Sequence, residues 1–306
     1  MAPYIAQRLL TLIPILLGVS LIVFGIMKLV PGDPALMAAG VDARQEDVER
    51  VRVYLGLDKP LHIQYLQFIT NAVQGDFGIS SRTRRPVIEE VAARFPATAE
   101  LAIAGLLVSM AIGVTAGIVS ATKQYTIWDN VVMTVALLGV SMPVFWLGLM
   151  MMMLFSVELG WLPTTGRGTW LHLLMPAFAL GFGSAAIVAR QTRSAMLEVL
   201  RQDYVQTARA KGLPEKLVIM RHALKNAAIP SVTIIGLQFG GMLGGTVITE
   251  TVFAWPGMGR MIVEAINFRD LQVVQAGILI LAAIFVVTNL IVDLLYVYLD
   301  PRIKYS

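Results

Sequence analysis

The sequence predicts an all-α integral membrane protein with six spanning helices, and three observations predict it. Only 14% of the 306 residues are charged, where a soluble domain carries roughly 25%. Hydrophobic residues make up 57%, and the mean hydropathy is +0.72. The apolar residues also gather in runs near the length of roughly 20 that a helix needs to cross a hydrocarbon core of about 30 Å.

Those runs occupy residues 9–30, 97–121, 131–157, 171–189, 227–252 and 273–299. The first follows Arg8 and is too long for the apolar part of a secretory signal, so it reads as an uncleaved span. Residues 31–96 form an extracytoplasmic segment that opens with PGDP, where prolines and a glycine stop the first helix. Within it Val48, Val51 and Leu55 share one helical face, as do Tyr65, Leu66, Ile69, Ala72 and Val73, and then Val87, Ile88, Val91, Ala92 and Phe95. Short amphipathic helices of this kind either lie on the membrane or pack as a cap over the spans. The third span carries SMPVFW, and Pro143 is expected to kink it. The fourth is short, glycine-rich and broken by Pro176, which neighbouring helices can shield. The remaining chain, 97–306, is read as the core, with five of the spans and a polar segment at 194–226.

Six spans put both termini on one side. Arg190, Arg193, Arg201, Arg209, Lys211, Lys216, Arg221 and Lys225 follow span four, Arg302 and Lys304 lie in the tail, and the two short opposite loops hold only Arg167, Arg260 and Arg269. Positive charge collects on the cytoplasmic side, so both termini and segment 194–226 are assigned there. The arginines of 31–96 weigh little, because segments beyond about 60 residues cross regardless of charge. With a net charge of +4 but no basic domain interleaved with aromatics, the sequence gives no sign of a nucleic-acid partner.

Catalytic signatures are missing. With no cysteine there is no disulfide, thiolate metal site or cysteine nucleophile. No G-x-x-x-x-G-K-[ST] loop is present, and GFGSAA at 181–186 imitates a dinucleotide turn without a preceding strand. His62, His172 and His222 lie in three separate segments, so neither catalytic residues nor a metal site is expected; His172, at the mouth of span four, reads as an interfacial histidine. Glu100, Glu158 and Glu250 fall near outer helix ends where water reaches them, and Asp293 lies about two turns from the end of the last span. No series of midplane carboxylates and histidines suggests a built-in proton relay.

In span five Gly236, Gly240 and Gly244 recur every four residues, widened by Gly241 and Gly245. Such a smooth face serves close helix packing, and equally a pathway whose walls slide, with Gln238 and Glu250 as polar contacts and Met142 and Pro143 at the span-three kink. The segment YVQTARAKGLPEKLVIMRHALKN, 204–226, reads as two helices joined at KGLP: Gly212 offers a helix end and Pro214 restarts the chain. With no lipid in which to bury its apolar stub, it suits either a groove in a soluble partner or a solvated basic loop that enforces topology.

QTARAKG resembles the EAA motif of binding-protein-dependent ABC importer permeases, on Gln206, Thr207, Ala208 and Gly212; Glu and the first Ala of that motif are replaced. PGDP, LGLDKP, GDFG, RRPV, SMPVFW, LGWLPTTG, RHALKNA, GLQFG, VFAWPGMGR and DPRI, between about residues 8 and 305, resemble the dipeptide, oligopeptide, nickel and glutathione permease family. The resemblance implies the type I ABC importer permease fold in a bacterial inner membrane. It implies a second permease, most often a different chain, two cytoplasmic ATPases that hold ATP and Mg, and an extracytoplasmic solute-binding protein. No cofactor is expected in this chain. The resemblance also implies that Tyr204, Gln206, Thr207, Ala208, Arg209, Lys211 and Gly212 couple it to the ATPases, for uptake of a small peptide by alternating access. A nickel chelate as cargo, or an ATP-independent carrier, is the alternative.

Overall fold

The computed structural model describes residues 2–29, 32–40, 43–54 and 56–299. In chain order its helices are α1 (Ala2–Leu29), α2 (Pro34–Ala39), α3 (Gln45–Tyr54), α4 (Leu61–Val73), α5 (Val87–Thr122), α6 (Ile127–Ser141) and α7 (Val144–Met151), which runs into a π-helical stretch, Met152–Glu158. They continue with α8 (Trp170–Leu200), α9 (Asp203–Ala210), the single turn α10 (Glu215–Leu217), a π-helical stretch Val218–Ala223 leading into α11 (Leu224–Val252), α12 (Met258–Asn267) and α13 (Leu271–Leu299). Among the described residues there is no strand, only a bridge between Ile79 and Pro86. The expectations on Pro31, Leu55 and the DPRI tail lie outside the described residues, as does the side chain of Asp293.

Among the described residues five helices are long and apolar enough to cross a membrane: 9–29 of α1, α5, α8, 230–252 of α11 and 271–292 of α13. The third expected span is not one kinked helix. It is the pair α6 and α7, bent by 104°. The interruption begins at Pro143, which has no N–H to donate and drives Met142 out of the helical region, to φ −81° and ψ 125°. The fourth span departs from expectation the other way. α8 is unbroken over 31 residues, because Pro176 sits early enough to cost one backbone bond while its ring is buried. The second span likewise begins ten residues early, at Val87, so the third amphipathic stretch of segment 31–96 is the start of α5, and Pro96 lies inside that helix.

The chain divides into two compact units, residues 1–97 with 256–286, and residues 98–255 with 287–306. In the first unit, Val87 and Val91 pack with Met258, Met261, Ala265, Val273, Val274 and Ala276, whereas Ile88, Ala92 and Phe95 stay exposed. Helix α4 lies along α1: Tyr65 Oη is 2.9 Å from Ser20 Oγ, and Phe24 meets Tyr65 and Phe68 at ring distances of 5.5 and 6.1 Å.

In the second unit α8 packs against both α6 and α11. Its contact with α5 depends on missing side chains. A Cβ on Gly113 would stand 2.7 Å from the Ala185 carbonyl oxygen, and one on Gly117 2.7 Å from that of Ala189. On the facing helix, a Cβ on Gly181 would stand 2.4 Å from the Gly105 carbonyl oxygen. Backbone cannot retreat as a flexible side chain can, so Gly113→Ala is expected to lower the melting temperature, and Gly113→Leu to cost about 1–3 kcal/mol or more by overpacking. Thermal unfolding of the detergent-purified chain measures both, and unchanged melting in Gly113→Leu would contradict the close approach.

Candidate functional site

Helix α9 ends in a tight reversal. Gly212 takes φ +75°, its N–H donates to the Arg209 carbonyl at 2.9 Å, and that of Leu213 donates to the Ala208 carbonyl at 3.4 Å. This is the Schellman closure, which needs a residue without a Cβ penalty at the left-handed position. Pro214 then starts α10. Val205 and Ala208, one turn apart, are buried with Val218 against Val199, Leu200 and Leu213. Tyr204, Gln206, Thr207, Lys211 and Gly212 are left exposed, with Arg209 half-buried. Of the sequence-predicted set only Ala208 points into the corner.

Two side-chain pairs brace that corner. Asn226 Nδ2 donates to Tyr204 Oη at 2.7 Å, tying α9 to α11. Arg209 donates through Nη2 and Nε to the two oxygens of Glu215, at 2.7 and 3.2 Å. That fork holds the Glu215 carboxyl below the usual range, first through its hydrogen bond. A depressed carboxyl stabilises the fold above its unfolded value, and this stability is lost as pH falls through the folded value. Both groups are substantially exposed, so Glu215→Gln is expected to cost less than about 1 kcal/mol at neutral pH. The difference from wild type should vanish in acid, as thermal melts across pH can establish.

A second cluster escaped the sequence reading. Asp129, in the first turn of α6 and 3% exposed, accepts a fork from Arg193 of α8, Nε at 2.9 Å and Nη2 at 2.8 Å. Ser120 of α5 donates to the same carboxylate, and the Tyr125 N–H adds a bond of 3.1 Å. One buried carboxylate thus joins three helices, two turns before α8 ends and the chain enters α9. Arg193 had registered only as positive charge. The available signal was an aspartate two residues into an apolar helix, where an ionised group needs a partner.

The intramembrane candidates separate. Met142 and Pro143 sit at the α6–α7 break, Met142 half-buried and Pro143 exposed. Gly236 and Gly240 are packing positions: a Cβ on them would meet Val292 at 2.2 Å and Asn289 at 2.8 Å, both on α13. Gly244 and Gly241 have open space and are exposed, and Gln238 is half-buried. Glu250 differs from expectation, being fully buried with Thr98 Oγ1 donating to it at 2.6 Å. A helix end admits water only if nothing covers it, and here α5 does. The hydroxyls of Ser109 and Thr249 are buried without a hydrogen-bond partner among the described residues. Glu100 and Glu158 keep the expected access to water, Glu100 paired with Arg167 at 2.6 Å.

His172 caps α8: its Nδ1 accepts the Thr169 N–H at 3.1 Å while the Thr169 side chain completes the capping box. Among the described residues no group of three histidine, aspartate or glutamate side chains is placed to hold a metal.

Two family models match the chain, "Binding-protein-dependent transport system inner membrane component" over residues 113–305 and its N-terminal companion over residues 1–102. The dipeptide transport system permease protein DppB of Alkalihalophilus pseudofirmus is 47% identical, with all of both chains covered. The glutathione transport system permease protein GsiC of Escherichia coli strain K12 is also 47% identical, again over both full chains. Among solved structures, the inward-facing MetNI methionine ABC transporter matches with a TM-score of 0.56 at 17% identity, covering 69% of this chain and 96% of that one. An amino acid ABC transporter matches with a TM-score of 0.51, covering 70% and 94%. These two show the fold.

Proposed function

Because the chain belongs to the inner membrane components of binding-protein-dependent transport systems, we propose that it is the permease through which an ATP-driven importer moves small peptides across the bacterial inner membrane. The carrying observation is full-length identity of 47% to permeases named for dipeptide and glutathione transport. The corner at α9 supports the mechanism, since a short helix with a rigid closure and an exposed polar face suits a groove in a soluble ATPase. In this reading Tyr204, Gln206, Thr207, Arg209, Lys211 and Gly212 meet the ATPase, and Ala208 holds the helix in place. ATP and Mg sit on the ATPases, both termini are cytoplasmic, and residues 31–96 face outward toward a solute-binding protein. A second permease, a different chain, completes the pathway.

Met142, Pro143, Gln238, Gly240, Gly244 and Glu250 belong to the path in graded roles. Gly244, open and without a side chain, lines it, Met142, Pro143 and Gln238 border it, and Gly240 and Glu250 anchor its wall. Alternating access requires that ATP and peptide each favour a different state. The expected result for Gly244→Leu is loss of peptide uptake at normal expression, because a large side chain narrows a wall with nothing to displace.

Affinity purification of the tagged chain from its native membrane, with mass spectrometry of the accompanying chains, tests the assembly. Recovery of two P-loop ATPases and a second permease is the expected outcome. Recovery of the chain alone, still carrying peptide into vesicles without ATP, would replace the importer with a secondary carrier.

A further inference from the structure

The first unit contains a cavity of about 340 Å³, within the range of small-ligand sites. Its wall is built before any ligand arrives. The loop ahead of α5 closes on itself, Ser80 N–H to the Arg85 carbonyl at 2.9 Å and Val87 N–H to the Gly78 carbonyl at 3.0 Å. Asp270, 2% exposed, clamps it by accepting Ser80 Oγ at 2.6 Å and the Arg82 N–H at 3.2 Å. The Arg82 guanidinium lies 3.7 Å over the Phe268 ring.

Most charges on this wall are committed. Asp270 holds the loop, Glu264 accepts from Arg260 at 2.8 Å, and Glu90 accepts from Thr83. Three are not: Arg85, Arg94 and Glu89 line the same cavity, yet none has an ion pair among the described residues. Two guanidiniums and one carboxylate that share a cavity without neutralising each other leave both signs available. A planar guanidinium fork matches a carboxylate, and a lone carboxylate matches an ammonium.

We propose that this cavity binds a small zwitterion of di- or tripeptide size, its carboxylate held by Arg85 and Arg94 and its ammonium by Glu89. The ligand class follows from the lining and the volume. It goes beyond the transport reading, since the lining shares no residue with the candidate path.

The test uses the full-length chain, purified with the membrane chains that accompany it, in lipid nanodiscs without ATP. Calorimetric titration with Ala-Ala is expected to show saturable binding, at least tenfold weaker for the doubly capped N-acetyl-Ala-Ala-amide. Arg94→Gln and Glu89→Gln should each weaken Ala-Ala at least tenfold with unchanged melting temperature, because neither residue is committed to the fold. Gly244→Leu should bind like wild type. Absence of saturable binding, equal binding of the capped peptide, or wild-type affinity in Arg94→Gln would overturn the site. Such a failure in an assembly that still takes up peptide under ATP strikes this inference alone. Intact cavity binding without ATP-driven uptake strikes the transport reading alone.

Discussion

Arg193→Ala is expected to lower the melting temperature more than any other single substitution of a charged residue in the second unit. It would leave the Asp129 carboxylate, 5% exposed on its side chain, without its bidentate partner. Breaking a buried pair by removing one member costs about 3–5 kcal/mol. The lower end applies, because Arg193 is 26% exposed and water already reaches one side of the fork. Asp129→Ala should cost less than Arg193→Ala, because the partly exposed guanidinium left behind can be hydrated while the carboxylate cannot. Ser120 and the Tyr125 N–H would then have to find other acceptors. Replacing both charges by apolar residues, Asp129→Leu with Arg193→Met, should recover most of the loss, as it does where ion pairs are exchanged for packing. Thermal melts of the wild type, Asp129→Leu, Arg193→Met and the double variant form a double-mutant cycle. Additive losses, or no loss in Arg193→Ala, would mean the fork is incidental.

Gly212→Val is expected to have the largest effect on the coupling of transport to ATP hydrolysis. A Cβ there meets nothing within 4 Å, so crowding is no obstacle and the cost is conformational. At φ +75° a β-branched residue is strained by roughly 1–2 kcal/mol, enough to open the Schellman closure at an exposed helix end. The apolar spans are untouched, so membrane insertion should be normal. With α9 loosened, the coupling reading expects peptide uptake to fall severalfold or more while ATP hydrolysis by the assembly continues. Gly212→Asn, which tolerates the left-handed region, should retain most uptake. Normal uptake in Gly212→Val at normal expression would remove α9 from the coupling role.

The two variants differ in how legible their sites were. Gly212 and Pro214 announce a helix end and a restart by their own backbone chemistry, and the chain does reverse there, with Val205 and Ala208 turned inward as their spacing of three requires. Asp129 and Arg193 are 64 positions apart, and no local pattern joins them. The glycines of α11 were visible as a stripe, but the stripe could not say that Gly236 and Gly240 abut α13 while Gly244 faces open space. The seam of Gly105, Gly113 and Gly117 on α5 follows the same four-residue ridge with Ser109 at the missing step, but only the structure shows that it faces α8 backbone.

By itself the sequence determined the class of the protein, because apolar runs of spanning length have one stable backbone solution in lipid, the helix with its bonds satisfied internally. It also determined the α9 reversal and the interruption at Pro143, which follow from a missing Cβ and a missing N–H. Tertiary structure alone decided that Pro143 separates two helices at 104° while Pro176 is absorbed into one, because the result depends on what surrounds the lost hydrogen bond. It alone covered Glu250 and paired Asp129 with Arg193. Burial and ion pairing are properties of neighbours in space, and one-dimensional periodicity specifies only which face of a helix seeks them.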